Sequence, residues 1–153
     1  MTYYKLGQDQ RIPYSVLLTE LSKIGGYFDS ESGDLSTLDK VIVSVVSSSP
    51  INFYPDILDR QIFMIKGAVK EVFDMFLPEL AYKHCVLLDK PEKRSEQYFI
   101  PVLDMFDMQG GLQRGKHIFR IADSKEKEVA ASLEAVEAIL RRAPEGVRIS
   151  AIS

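Results

Sequence analysis

The stretch QIFMIKGAVKEVFDMFLPELAYKHCVLLD, Gln61–Asp89, decides the fold of this chain. Ala68, Val69, Val72, Phe73, Phe76 and Leu77 recur at steps of three and four and share one helix face. Lys70, Glu71 and Asp74 fall on the other. Pro78 stops the helix, since it has no amide hydrogen to donate and biases Leu77 away from helical dihedrals. Gln61–Ile65 before the helix and Cys85–Leu88 after it are short apolar runs of the kind that suit buried strands. A strand–helix–strand unit follows, with the helix laid on a sheet.

Residues 128–152 repeat that plan. Glu128–Ala131 reads as extended, and Ser132 is a good N-cap. Leu133, Val136, Ile139, Leu140 and Ala143 form a helical stripe that Pro144 and Gly146 end. Val147, Ile149 and Ala151 then mark a partly alternating last strand. Setting Lys66 against Ser132 aligns Glu71 with Glu137, Pro78 with Pro144 and Glu79 with Glu145, which suggests a duplicated unit.

Outside these units, Thr2–Leu6 has strand composition. Tyr14–Ile24 fits a helix stopped by Gly25–Gly26, or an extended run nearly as well. Leu38–Val46 is β-branched and reads as a strand, and Ile51–Arg60, with Pro55, as an irregular lead-in. Lys90–Glu96 is a charged hairpin connection. Gln97–Met105 reads as a strand that Pro101 places at an edge or bulge, and Lys116–Ala122 alternates like a half-buried strand. The expected class is α+β. Its mixed, mainly antiparallel sheet carries the two strand–helix–strand units, with residues 96–122 antiparallel. No linker divides residues 1–153, so one domain is expected.

The chain has 153 residues, 46% hydrophobic and 27% charged, which is ordinary for a globular protein. It holds no apolar run near the roughly 20 residues that span a bilayer. MTYYKLGQDQ lacks a basic region followed by an apolar one, so no secretory signal is expected, and a single cysteine agrees with a reducing compartment. The cytoplasm is the expected location. A net charge of −3 argues against binding nucleic acid through its phosphates.

Catalytic patterns are scarce. His84 and Cys85 are neighbours on a strand, so their side chains point to opposite faces and cannot pair. His117 is a conceivable partner for Cys85, and Asp104 and Asp107 add carboxylates. Together these four define the alternative reading, a small ligand-binding or enzymatic pocket. One Cys and two His give no zinc-type spacing. The glycines at 25–26 and 110–111 match neither the dinucleotide fingerprint nor the phosphate loop. No metal, cofactor or catalytic residue is assigned.

The acidic side chains are unevenly placed. Residues 1–60 hold five basic and eight acidic groups, whereas residues 61–153 hold fourteen of each. Asp29, Glu31, Asp34, Asp39, Asp56 and Asp59 face only Lys40 in residues 28–59. The bland reading is a solvated loop surface. The sharper one is a docking surface for a basic partner, with Phe28, Phe53 and Tyr54 as aromatic anchors beside Asp29, Glu31, Asp34, Asp39 and Asp56.

The order PDILDRQIFMIKGAVKEVFDMFLPELAYKHCVLLD, EQYFIPVLDMFD, HIFRIADS and PEGVRISAI resembles a family of bacterial immunity-like proteins encoded beside polymorphic toxins. The resemblance covers residues 51–153 and rests on hydrophobic patterns with a few polar marks, Pro55-Asp56, Phe119-Arg120 and Gly146. It implies a cytoplasmic α+β domain that protects the producing cell by binding a cognate toxin, without catalysis. It carries over no catalytic residue.

Overall fold

The computed structural model describes residues 2–19, 41–111, 113–126 and 128–152. Those residues form an α+β fold whose strands divide between two five-stranded sheets, where the sequence pattern had suggested one. The first sheet has the order β10 (Val147–Ala151), β1 (Tyr3–Gln8), β9 (Val129–Ser132), β8 (Ile118–Ile121), β7 (Met105–Phe106). The second has the order β2 (Val41–Val45), β5 (Tyr82–Asp89), β6 (Arg94–Pro101), β4 (Met64–Ile65), β3 (Ile57–Leu58). Pairing is antiparallel except between β2 and β5 and between β7 and β8.

Both strand–helix–strand units are present, and both are split by an antiparallel strand. Helix α1 (Gly67–Phe76) connects β4 to β5, with β6 between them; helix α2 (Leu133–Leu140) connects β9 to β10, with β1 between them. Comparable rows run through both units. Ile65, just before N-cap Lys66, faces Phe99, which faces His84. Ala131, just before N-cap Ser132, faces Tyr4, which faces Ala151. The two units therefore share one topology, and the first strand of the chain completes the second unit.

Several expectations change. Pro101 is the last residue of β6, an interior strand, beyond the row that β4 pairs, so its missing amide hydrogen interrupts no ladder on that side. Residues 96–122 are not wholly antiparallel, because β7 runs parallel to β8. Of Tyr14–Ile24, where a helix was one option, residues 15–18 are extended, Tyr14 is a turn residue, and residues 20–24 lie outside the described residues. Ser15 bridges Phe53 and Leu18 bridges Val46, so main-chain bonds across the fold outweigh a marginal local helix.

The helices share a core drawn from both sheets. Val69, Val72 and Phe73 of α1 and Ala135, Val136, Ala138 and Ile139 of α2 pack with Leu6, Ile57, Phe63, Ile65, Ile118, Val129 and Ala131. The far face of the second sheet has its own core, including Val16, Leu18, Ile42, Leu87, Tyr98 and Ile100.

Where the two sheets meet, two carboxylates are half-buried. Asp59 accepts the Gln8 amide hydrogen at 2.9 Å and the Gln10 side-chain amide at 3.1 Å, while Gln8 Oε1 accepts from the Asp59 amide. Asp56 accepts the Glu145 amide hydrogen and donates its own to the Glu145 carbonyl. Burial raises both carboxyls above the usual carboxylate range. A raised folded pKa means that the fold binds the proton more tightly than the unfolded chain does. The favourable contribution is then complete below the unfolded value and is lost as pH rises through the folded one. Asp74 runs the other way. Its carboxyl is partly desolvated, but hydrogen bonds from Lys70 and Tyr82 outweigh that and hold it low, so its contribution is lost as pH falls. Asp59→Asn is therefore expected to gain stability relative to the parent as pH rises from 4 to 7. Urea denaturation at the two pH values checks this; a difference independent of pH would refute it.

Candidate functional site

The four residues of the pocket reading do not converge. Cys85 is fully buried in the core of the second sheet, and burial pushes its thiol up to about 11. His117 belongs to the first sheet's side of the molecule. Its Nδ1 lies 2.8 Å from Ser132 Oγ and its ring packs on Phe76, 4.8 Å between centroids. Ser132 is itself buried and caps α2 by accepting the Ala135 amide hydrogen, so this serine–imidazole pair holds a helix end and offers no open nucleophile. Asp104 and Asp107 are exposed. No hydrogen bond, ion pair or ring contact joins any two of the four. Among the described residues no group of three or more His, Cys, Asp or Glu is placed to hold a metal ion. Cys85 is expected to resist a thiol reagent such as DTNB at pH 8 in the folded protein and to react once unfolded. Rapid native labelling would show that the core opens.

Of the residues expected to meet a partner, Phe28, Asp29, Glu31, Asp34 and Asp39 lie outside the described residues. Tyr54 is 3% exposed. Its ring is covered by the Arg94 guanidinium, 4.1 Å from the centroid, with Lys66 Nζ 6.0 Å away. Glu96 pairs with both cations, at 3.1 and 3.5 Å, and Tyr98 donates its hydroxyl to the Pro55 carbonyl at 2.6 Å. Tyr54 and Asp56 thus serve here to hold the lead-in of β3 against β6 and the turn at Glu145. The sequence reading missed Lys66 and Arg94.

Among the described residues, one face of the second sheet is partly exposed. Register places Val41, Val43 and Val45 of β2 beside His84, Val86 and Leu88 of β5, and these beside Phe99, Gln97 and Ser95 of β6. The alternate residues, Ile42, Ser44, Cys85, Leu87 and Tyr98, point into the core. Helix α1 lies over the β4–β6 end of this face, where Lys70 stacks on Tyr82 and Phe99, 4.7 Å from each ring. A helix about 10 Å wide spans about two strands at 4.8 Å spacing, so among the described residues α1 covers β4 and β6 and reaches β5 at Tyr82. Val41 is 55% exposed and Val43 47%; Val45, Val86 and Leu88 are half-buried. Residues 17–19 run against the end of β2, through Thr19 to the Val45 carbonyl and Ser47 to the Leu17 carbonyl. They add Leu17, 40% exposed, to the same surface. The result is a flat aliphatic patch of six residues with few charges on it.

No helix among the described residues is long and apolar enough to cross a membrane. Comparison with family models, with curated proteins and with solved structures returned no match.

Proposed function

We propose that this chain is an immunity-type binding protein, which neutralises a cognate bacterial toxin in the cytoplasm by direct protein–protein contact and without catalysis. The observation that supports a binding role is the partly exposed aliphatic face of Leu17, Val41, Val43, Val45, Val86 and Leu88. Apolar surface of this kind, left in water on an otherwise well-packed protein, is typical of the centre of a protein interface. Its chain neighbourhood supplies the charge. Asp29, Glu31, Asp34 and Asp39 come just before Val41 in sequence, and the whole acidic excess of the protein lies in residues 1–60. An apolar face together with an acidic stretch close to it in sequence favours a cationic protein partner, whose approach complementary charge accelerates. The toxin assignment itself comes from the family resemblance.

The test is expression of the product of the adjacent gene, alone and together with this protein. Growth arrest alone, rescue together and a purified complex of defined stoichiometry are the expected results. Val43→Asp should abolish both rescue and complex, and charge reversal at Asp29, Glu31 and Asp34 should slow association in a salt-dependent way. A harmless neighbour that forms no complex would overturn the toxin reading.

A further inference from the structure

Arg142 ties the two helices together, and one of its contacts is to a sulfur atom. It lies just past α2, where it donates its amide hydrogen to the Ile139 carbonyl at 3.0 Å. All three guanidinium nitrogens are engaged. Nε donates to Glu71 Oε2 at 3.3 Å, Nη1 to the Ala138 carbonyl at 2.9 Å and Nη2 to Met75 Sδ at 3.1 Å. Glu71 and Met75 are four residues apart on α1 and so stand side by side. The guanidinium therefore joins one side of α1 to the end of α2. Met75 is a poor choice for that position if the contact serves only the fold. A thioether is a weak acceptor, and glutamine would offer the guanidinium a far better one. Among the described residues Met75 is also the exposed methionine, at 58%, whereas Met64 is fully buried and Met105 and Met108 are half-buried.

The form of methionine that suits a fixed guanidinium is the sulfoxide, which is polar and carries a strong acceptor oxygen. We propose that Met75 is a site of reversible oxidation by a peroxide, with Arg142 receiving the sulfoxide oxygen. In that step the exposed sulfur attacks one peroxide oxygen. The S–O bond forms as the O–O bond breaks, and the proton on the transferred oxygen passes to the departing hydroxide. Sulfur is oxidised by two electrons and hydrogen peroxide is reduced to water. Sulfur has two lone pairs, and Arg142 Nη2 occupies one of them. The oxidant therefore reaches the other, and one sulfoxide epimer is favoured. The unbranched, flexible side chain then lets the new oxygen turn to Nη2. A sulfoxide in a core disrupts packing, but this one lies at the surface and gains a charge-assisted hydrogen bond. Oxidation thus tightens the tie between α1 and α2, and methionine sulfoxide reductases loosen it again. The inference does not depend on a toxin partner.

The test treats the full chain with hydrogen peroxide and follows each methionine by peptide mass mapping. Met75 is expected to be oxidised at least about tenfold faster than Met64, whose sulfur is reached only when the core opens. The oxidised protein is expected to melt at or above the temperature of its reduced form, with Met75→Leu treated alongside to correct for the other methionines. Arg142→Ala is expected to lose that advantage. Should Arg142→Ala misfold, Arg142→Lys gives the second measurement, since one ammonium cannot reach all three acceptors and the advantage shrinks. Of the two stereospecific sulfoxide reductases, one alone is expected to restore most of Met75 in the parent, and both about equally in Arg142→Ala. A melting temperature lowered by oxidation at Met75 overturns the proposal. So does oxidation no faster than at Met105 and Met108, or an equal share of the two epimers in the parent.

Discussion

Gly146→Ala is expected to destabilise the protein by about 3 kcal/mol, the sum of a left-handed backbone penalty near 1 and an overpacking cost near 2. Gly146 has φ 70°, and a Cβ built there would lie 2.4 Å from Pro55 Cβ and 2.9 Å from the Phe53 ring. The nearer neighbour, Pro55, is held in place. Pro55 is buried and its carbonyl accepts the Tyr98 hydroxyl, while Phe53 is bonded to Tyr14 and Val16 through its main chain. Gly146 also accepts the Asp9 amide hydrogen at 2.8 Å, so its displacement disturbs the junction of β1 with β10. For a chain of this size the loss should lower the melting temperature by roughly 6–12 °C. Gly115 provides the control. It has φ 82° with no atom within 4 Å of a built Cβ, so Gly115→Ala should cost only the backbone penalty, about 1 kcal/mol. Equal losses at the two positions would show that the close approach of residues 53–55 to Gly146 is not maintained in solution.

Phe73→Ala is expected to cost about 3–5 kcal/mol, the usual range for removing a fully buried aromatic ring and leaving a cavity. Phe73 is completely buried in α1 and stacks on Phe63 with centroids 6.3 Å apart. The effect should also be global. That ring lies in a core to which Leu6, Ile118, Val129 and Ala131 of the first sheet contribute together with Ile57 and Ile65 of the second. A shared core couples the sheets, so one cooperative transition, shifted as a whole, is expected for residues 1–153 by both far-ultraviolet and tyrosine signals. Two transitions, of which Phe73→Ala moves only one, would mean that the sheets fold separately.

The two helices were legible because their apolar residues follow the helical repeat over three turns and end at proline, and both signals are local. Ser132 was legible as an N-cap for the same reason. The strands before and after the helices were recognisable from short apolar runs, but their partners were not. Nothing in Tyr3–Gln8 says that it pairs between β9 and β10, because pairing joins residues more than 120 positions apart. The matched positions Glu71 with Glu137 and Pro78 with Pro144 lie in two units of like topology, but that alignment sets His84 against Ser150 whereas the paired rows set it against Ala151.

Site residues were harder to read. Tyr54 looked like an exposed anchor because it sits among polar residues in sequence, yet Arg94 and Lys66, brought from β6 and the start of α1, cover it. Met75 and Arg142 gave no signal, since their contact joins α1 to the end of α2 across 67 positions. By itself the sequence determined the class, the two amphipathic helices, their ends and the acidic bias of the first 60 residues. These depend on periodicity, proline and charge, which a chain carries before it folds. Only the tertiary structure decided that there are two sheets, that Cys85 and His117 are apart, and which strands each helix covers. Those outcomes depend on strand register and on how far a ten-residue helix reaches across a sheet, and both are settled by contacts between distant segments.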